Sequence, residues 1–247
     1  MRSISTIFLD DGGVMNDNER RAVEWERLIG EFLAPRLGGD RAAWGEANRV
    51  VFDRQWQRFE AWTRERVTAG EWGDFFGSSE ERERWLREMC EHVGVGAPAG
   101  SACLQLACET DAYVIPRVRA AYPGAVDAIR ALHRRGYTIN TASSAPSWNL
   151  ECNLAGMGVR DLFTERLYGP DLVSTLKEHP EFHRRIFADA GVAPADTLVV
   201  DDSPQRLRRA AEAGAATVLI SAETTRSGGT HTTIVSLADL PSVLKRT

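Results

Sequence analysis

Two adjacent carboxylates, Asp10 and Asp11, close a short apolar run and meet two glycines, Gly12 and Gly13, in the stretch IFLDDGGVMND. A second acid pair, Asp201 and Asp202, closes the run LVVDD and leads into Ser203 and Pro204. Between them TINTAS ends at Ser143, followed by Ser144, and Lys177 supplies a cation in the connection before the second pair. Acids converging on one crevice repel unless a cation joins them, and an all-oxygen site with few protein ligands suits Mg²⁺, which keeps several waters. A phosphate brought to such a metal would be held by a lysine and a serine hydroxyl. The expected metal ligands are Asp10, the Gly12 carbonyl and Asp202, with Asp201 as a direct ligand or a support behind it.

Chemistry of this kind needs elements that bring the three tips together. Each polar group follows a short apolar run with the length of a buried strand, and from about Pro123 onward TINTAS, LVVDD and TVLIS alternate with helical segments that end at Gly136, Gly191 and Gly214. That alternation predicts a parallel sheet with helices on its faces, and ligands of open parallel sheets sit at the carboxyl ends of the strands. Between the first strand and the rest, Trp25, Leu28, Ile29, Phe32 and Leu33 fall on one helical face, and Trp85, Leu86, Met89, Cys90 and Val93 repeat the pattern. The expectation is an α/β chain: a Rossmann-like three-layer core over 1–17 and 114–247, and an inserted helical cap over 18–113.

Composition limits the partners. The 247 residues suffice for a core and a smaller unit, and a formal net charge of -5 leaves no basic footprint for nucleic acid and no pull toward an acidic membrane. Small molecules are the expected partners. Cys90, Cys103, Cys108 and Cys152 show no CxxC spacing, and the N-terminal apolar run is too short for a secretory segment or a membrane span, so a soluble cytoplasmic protein with reduced thiols is expected. Oligomeric state is not readable from the sequence.

With these residues in view the chain resembles the haloacid dehalogenase-like hydrolase superfamily at both ends. LDDGGVM resembles its first motif in the D-x-G-G-V-L form, GYTINTAS the second, KEHPEF the third and VVDDSP the paired-acid fourth. The resemblance implies a Rossmann-like core, a helical cap inserted after the first motif, Mg²⁺, and hydrolysis of a small phosphorylated metabolite through an aspartyl-phosphate. It implies Asp10 as nucleophile, Ser143 and Lys177 as catalytic and phosphate-binding groups with Ser144 beside them, Asp202 as direct metal ligand, and Asp201 as ligand or ligand support.

The departures are equally specific. The family's phosphatases carry a second aspartate two positions after the nucleophile, as a general acid contributing roughly 10²- to 10⁴-fold, and here that position is Gly12. Asp11 and Asp17 are nearby acids at other positions, and Glu178 stands where a proline often follows the lysine. Aligning Asp11 and Gly12 with a D-G pair instead would place Leu9 at the nucleophile, leaving an inactive binding or regulatory protein. A dehalogenase, which needs no such acid, is a third reading; the Asp201 and Asp202 pair speaks against it, because halide displacement needs no Mg²⁺.

Simpler roles are available for the same residues. Asp201 and Asp202 can cap the helix that Pro204 starts, Ser143 and Ser144 can cap helices, and Lys177 can be a solvated charge. Six of seven tryptophans fall in the inserted segment, where core packing is the expected role. Of the five histidines only His179, two residues after Lys177, is expected near the site, and residues 226–233 read as a mobile loop.

Overall fold

The structure is a computed structural model that describes residues 4–69, 72–221 and 232–244. The chain divides into two compact units, one of Met1–Asn18, Gly70–Trp72 and Ala121–Thr247, the other of Glu19–Ala69 and Gly73–Ala120.

The first unit is built on β1 (Thr6–Leu9). After the helices of the second unit, α1 (Asn18–Leu37), α2 (Arg41–Ala69), α3 (Ser79–Val93) and α4 (Ser101–Val114), it resumes with α5 (Ala125–Arg134), β2 (Thr138–Thr141), α6 (Ser147–Met157), α7 (Pro170–Val173), α8 (Phe182–Asp189), β3 (Thr197–Asp201), α9 (Pro204–Glu212), β4 (Ala216–Ile220), β5 (Thr232–Ile234) and α10 (Leu240–Val243). Among the described residues five strands form one parallel sheet in the order β2-β1-β3-β4-β5. This is the α/β class the alternation predicts. The run 226–233 differs from expectation at its end: Thr232 and Thr233 belong to β5, paired with Val218 and Leu219 of β4, because their β-branched side chains suit an edge strand. Residues 222–231 lie outside the described residues.

Strand parity sorts the core into two layers. Ile7 and Leu9 of β1, Ile139 of β2 and Leu198 and Val200 of β3 pack on one face with Ala128, Ile129 and Leu132 of α5 and Leu150 and Leu154 of α6. Phe8 and Val199 point the other way, into a cluster with Phe182, Ile186 and Phe187 of α8 and Leu207 and Ala210 of α9. Both faces of β1 are fully buried, and burying each of Ile7, Phe8 and Leu9 contributes roughly 1.5–3 kcal/mol. Leu9 is thereby committed to the core.

Gly136, Gly191 and Gly214, which follow α5, α8 and α9, all have positive φ and end their helices in the left-handed conformation the sequence signals. In the second unit α1 to α4 share a core of Leu28, Ile29, Phe32, Leu33, Trp44, Trp85, Leu86 and Met89. Trp44 and Trp85 are buried there with their indole N–H groups donating to the Gly38 carbonyl and to Asn48 Oδ1. Trp56 and Trp62 instead join Phe59, Phe75 and Phe76 in a separate aromatic group, with Trp56 exposed. α3 is closed at both ends: Ser78 Oγ accepts from the Glu81 N–H, and Gly94 turns left-handed to return its N–H to the helix. Cys90 and Cys103 are buried free thiols, and burial pushes the Cys90 thiol up to about 11, which leaves it unreactive.

Candidate active site

The two acids after β1 part at the strand tip. In register, Leu9 lies opposite Thr141 of β2 and Val200 of β3, so the residues just beyond these three strands meet at the carboxyl edge of the sheet. Parity then sends Asp10 to the face of Phe8, toward α8 and α9, and Asp11 to the face of Leu9, toward α6. The contacts follow that division. Lys177 Nζ lies 2.7 Å from Asp10 Oδ2, whereas Asp11 accepts from Asn16 Nδ2 at 2.6 Å and from Asn153 Nδ2 of α6 at 3.4 Å. The Asp11 N–H donates to Asp10 Oδ1 at 2.8 Å, so both oxygens of Asp10 have partners.

The turn that follows is closed by backbone bonds: the Asp11 carbonyl accepts from the N–H groups of Met15 and Asn16, and the Gly13 N–H donates to the Asn16 carbonyl. Gly13 sits at φ +78, and a Cβ there would lie 2.0 Å from Asp202 Oδ2. Only glycine admits both the backbone conformation and the carboxylate lying over it. A Cβ at Gly12 would fall 2.6 Å from Asn18 Oδ1.

Lys177 reaches the acids from the connection between α7 and α8. That connection is anchored by Arg185 of α8, whose Nη1 donates to the carbonyls of Val173 and Ser174, and it turns through Ser174 at φ 49. The ammonium group also lies 2.8 Å from Asp201 Oδ2, and the lysine is fully buried. A buried ammonium is tolerated only among opposite charges, which Asp10 and Asp201 supply. Lys177 is therefore no solvated surface charge.

Asp201 ends β3 and, like Val199, faces the α8 and α9 side; its Oδ1 accepts from the Ser203 N–H at 2.8 Å. The cap of α9 is Ser203, whose Oγ accepts from the Arg206 N–H, so helix capping does not account for Asp201 or Asp202. Carboxylate oxygens of Asp10, Asp201 and Asp202 lie within 4.8 Å of one another, and this is the one such grouping among the described residues. Asp202 is the exposed member of the group, and partial burial of its carboxyl, then the charges of Asp10 and Asp201, push it up to about 6. The site carries more negative charge than its neighbours neutralise.

Ser143 and Ser144 stand at the tip of the adjoining strand β2. Ser143 is buried, with its N–H donating to the Tyr168 carbonyl and its Oγ accepting from the Ala145 N–H, while the buried Ser144 Oγ finds no partner among the described residues.

Two participants escaped the sequence reading. Arg206, on the first turn of α9, places Nη1 3.6 Å from Asp10 Oδ2 and Nη2 2.7 Å from Glu178 Oε1. The signal was its place three residues after the capping serine, one helical turn above the acid pair. His183 is the other: it is fully buried in α8, near enough to Lys177, Arg209 and Arg206 to feel their charges, while His179 Nδ1 accepts from the Glu181 N–H within its own turn. His231 lies outside the described residues.

The arrangement offers a carboxylate oriented by a lysine, further acids to hold a cation, and hydroxyls at the next strand tip. The described helices include none long and apolar enough to cross a membrane. A protein named probable phosphatase IndB of Dickeya dadantii (strain 3937) is 29% identical over 123 residues, 50% of this chain and 50% of that one. A phosphoglycolate phosphatase of Haemophilus influenzae (strain 86-028NP) is 30% identical over 97 residues, 39% of this chain and 43% of that one. The chain thus spans about half the length of the curated relatives it matches. Among solved structures, the L-2-haloacid dehalogenase from Xanthobacter autotrophicus superposes with a TM-score of 0.64 over 98% of both chains at 18% identity, a likeness of fold. The family model described as haloacid dehalogenase-like hydrolase matches residues 4–214, and the chain belongs to that family.

Proposed function

We propose that the protein is a Mg²⁺-dependent phosphatase that transfers the phosphoryl group of a small phosphorylated metabolite to Asp10 and then to water. The observation that carries this reading is the position of Asp10: it sits at the tip of β1, with Oδ2 against the buried Lys177 and Oδ1 on the Asp11 N–H. Leu9, the nucleophile position of the other registration, is a core side chain. The two curated relatives are named as phosphatases, which supports phosphate esters as substrates.

The residues fit a hard divalent cation. Asp10, Asp201 and Asp202 present oxygens within reach of one another, and their charge exceeds what Lys177 neutralises. Asp10, Asp202 and the Gly12 carbonyl would hold Mg²⁺, with Asp201, tied to Lys177, supporting it from behind. The bound ion supplies charge neutralisation at the phosphoryl oxygens. Lys177 orients the Asp10 carboxylate for in-line attack and screens it from the phosphate, while Ser143 and Ser144 donate hydroxyl hydrogen bonds to the transferring oxygens. Gly12 gives no proton to the leaving group, so esters of acidic alcohols are the favoured substrates. The helical insert between β1 and β2 is read as the cap that selects among them.

An activated aryl phosphate tests the proposal, because its leaving group needs no protonation. Wild type should hydrolyse it only with Mg²⁺, and Asp10→Asn should lower kcat by at least about 10³-fold with an unchanged circular dichroism spectrum. Metal-independent halide release from a 2-haloacid, with no phosphatase activity, would move the chain to the dehalogenase reading. Wild-type inactivity on both substrates would leave a binding protein.

A further inference from the structure

We propose that Arg206 is an anion-binding residue of this site, a fixed cation that receives the phosphoryl oxygens beside Asp10, with Glu178 as the group that aims it. The inference deepens the phosphatase reading and rests on it only for the identity of the anion. Arg206 Nη2 is held 2.7 Å from Glu178 Oε1, which spends one edge of the guanidinium on positioning. Nη1 is left 3.6 Å from Asp10 Oδ2, too far for a hydrogen bond and close enough for attraction. The side chain is 27% exposed, against 0% for Lys177, so Arg206 is the cation at the cluster that an incoming ligand can still reach.

Geometry and charge agree on what that ligand is. A guanidinium presents planar paired donors that match phosphate oxygens, and its charge persists at every working pH. Its position on the first turn of α9 is fixed by Pro204 and by the Ser203 cap, whose Oγ accepts the Arg206 N–H. The guanidinium thus projects from a rigid element toward the oxygen that would attack phosphorus. The same charge has an opposite effect on a metal: a cation this close to Asp10 weakens the pull of the three acids on Mg²⁺. Arg206 therefore sets a balance, tightening phosphate and loosening metal. An ion pair that merely braced the fold would do neither selectively.

Titration calorimetry on the whole chain separates these roles, with inorganic phosphate added at saturating Mg²⁺ and with Mg²⁺ added alone. Arg206→Gln should raise the phosphate Kd about tenfold or more and lower the Mg²⁺ Kd about threefold, the two moving in opposite directions. Arg206→Lys, which keeps the charge and loses the fork, should raise the phosphate Kd by a few fold and leave Mg²⁺ near wild type; it carries the comparison if the glutamine variant does not fold. Glu178→Gln removes the charge but keeps an amide oxygen that accepts from Nη2, so the guanidinium stays aimed and the phosphate Kd should stay within about twofold of wild type. Glu178→Ala, which removes the acceptor, should raise it by a few fold. Equal phosphate affinity in wild type and Arg206→Gln overturns the proposal, as does a Glu178→Gln loss as large as that of Arg206→Gln. Arg206-dependent phosphate binding by a wild type that hydrolyses no phosphate ester overturns the phosphatase reading and leaves this one standing. A wild type that hydrolyses the aryl phosphate yet binds no phosphate overturns this proposal and leaves the phosphatase reading standing, and one that does neither overturns both.

Discussion

Asp10 and Asp11 are chemically identical and almost equally buried, at 4% and 2% exposure, yet they have different neighbours. Asp10 faces Lys177, and Asp11 is the acceptor that ties the turn to Asn16 and to Asn153 on α6. Their substitution should therefore fail in different assays. Asp11→Asn exchanges a charge-assisted acceptor for an amide and should cost about 1–2 kcal/mol of stability. Its kcat on the aryl phosphate should stay within a few fold of wild type. Urea unfolding beside steady-state kinetics checks this, and a kcat loss matching that of Asp10→Asn would show that the chemistry uses Asp11.

At the scale of elements, the turn after β1 and the start of α9 are one construction. Gly13 has room for no side chain because the Asp202 carboxylate lies over it, and Asp202 is placed by the strand that ends at Asp201. Gly13→Ala should cost about 1–2 kcal/mol for the left-handed backbone alone, and more for displacing Asp202. Gly38 is a useful control, since it has φ +82 with nothing within 4 Å of the place an alanine methyl would take. Gly38→Ala should show the conformational cost only. Gly13→Ala should in addition weaken Mg²⁺ binding at least about tenfold in calorimetry. Unchanged metal affinity would detach Asp202 from the metal site.

At the scale of the whole molecule, His183 couples the core beneath the site to pH. It is fully buried beside Phe182 and Phe187, and neither ring nitrogen has a partner among the described residues. Burial first, and then the positive charges of Lys177, Arg209 and Arg206, pull its pKa down to about 3. The unfolded chain takes up that proton near pH 6.5 and the folded chain does not. The stability His183 supports is thus complete above about pH 6.5 and is lost as pH falls toward 3, by up to about 1.4 kcal/mol per pH unit. His183→Leu should remove this dependence. Relative to wild type the variant should gain about 1 kcal/mol between pH 7 and pH 5.5, read from urea midpoints at each pH. Parallel curves for the two proteins would mean that the imidazole titrates alike folded and unfolded.

The fold class was readable in the sequence because its signals are short-ranged. Apolar runs four or five residues long, closed by acid or serine, become strands because successive side chains must alternate between two helix layers, and glycine after a helix ends it because no other residue turns left-handed at so little cost. The gathering of Asp10 and Asp201 follows from the same pattern, since parallel strands put their carboxyl ends on one edge, and Lys177 joins them from the connection before α8. Tertiary structure decided which partners those residues take. Arg206 and Glu178 are 28 residues apart and Asp11 and Asn153 are 142 apart, and neither pairing leaves a local periodicity. His183 is buried with Phe182, Ile186 and Phe187 on the inner face of α8. The β2-β1-β3 order with its register sets these choices, because a long-range side-chain contact depends on where separate elements pack, and local conformational preference acts only within each of them.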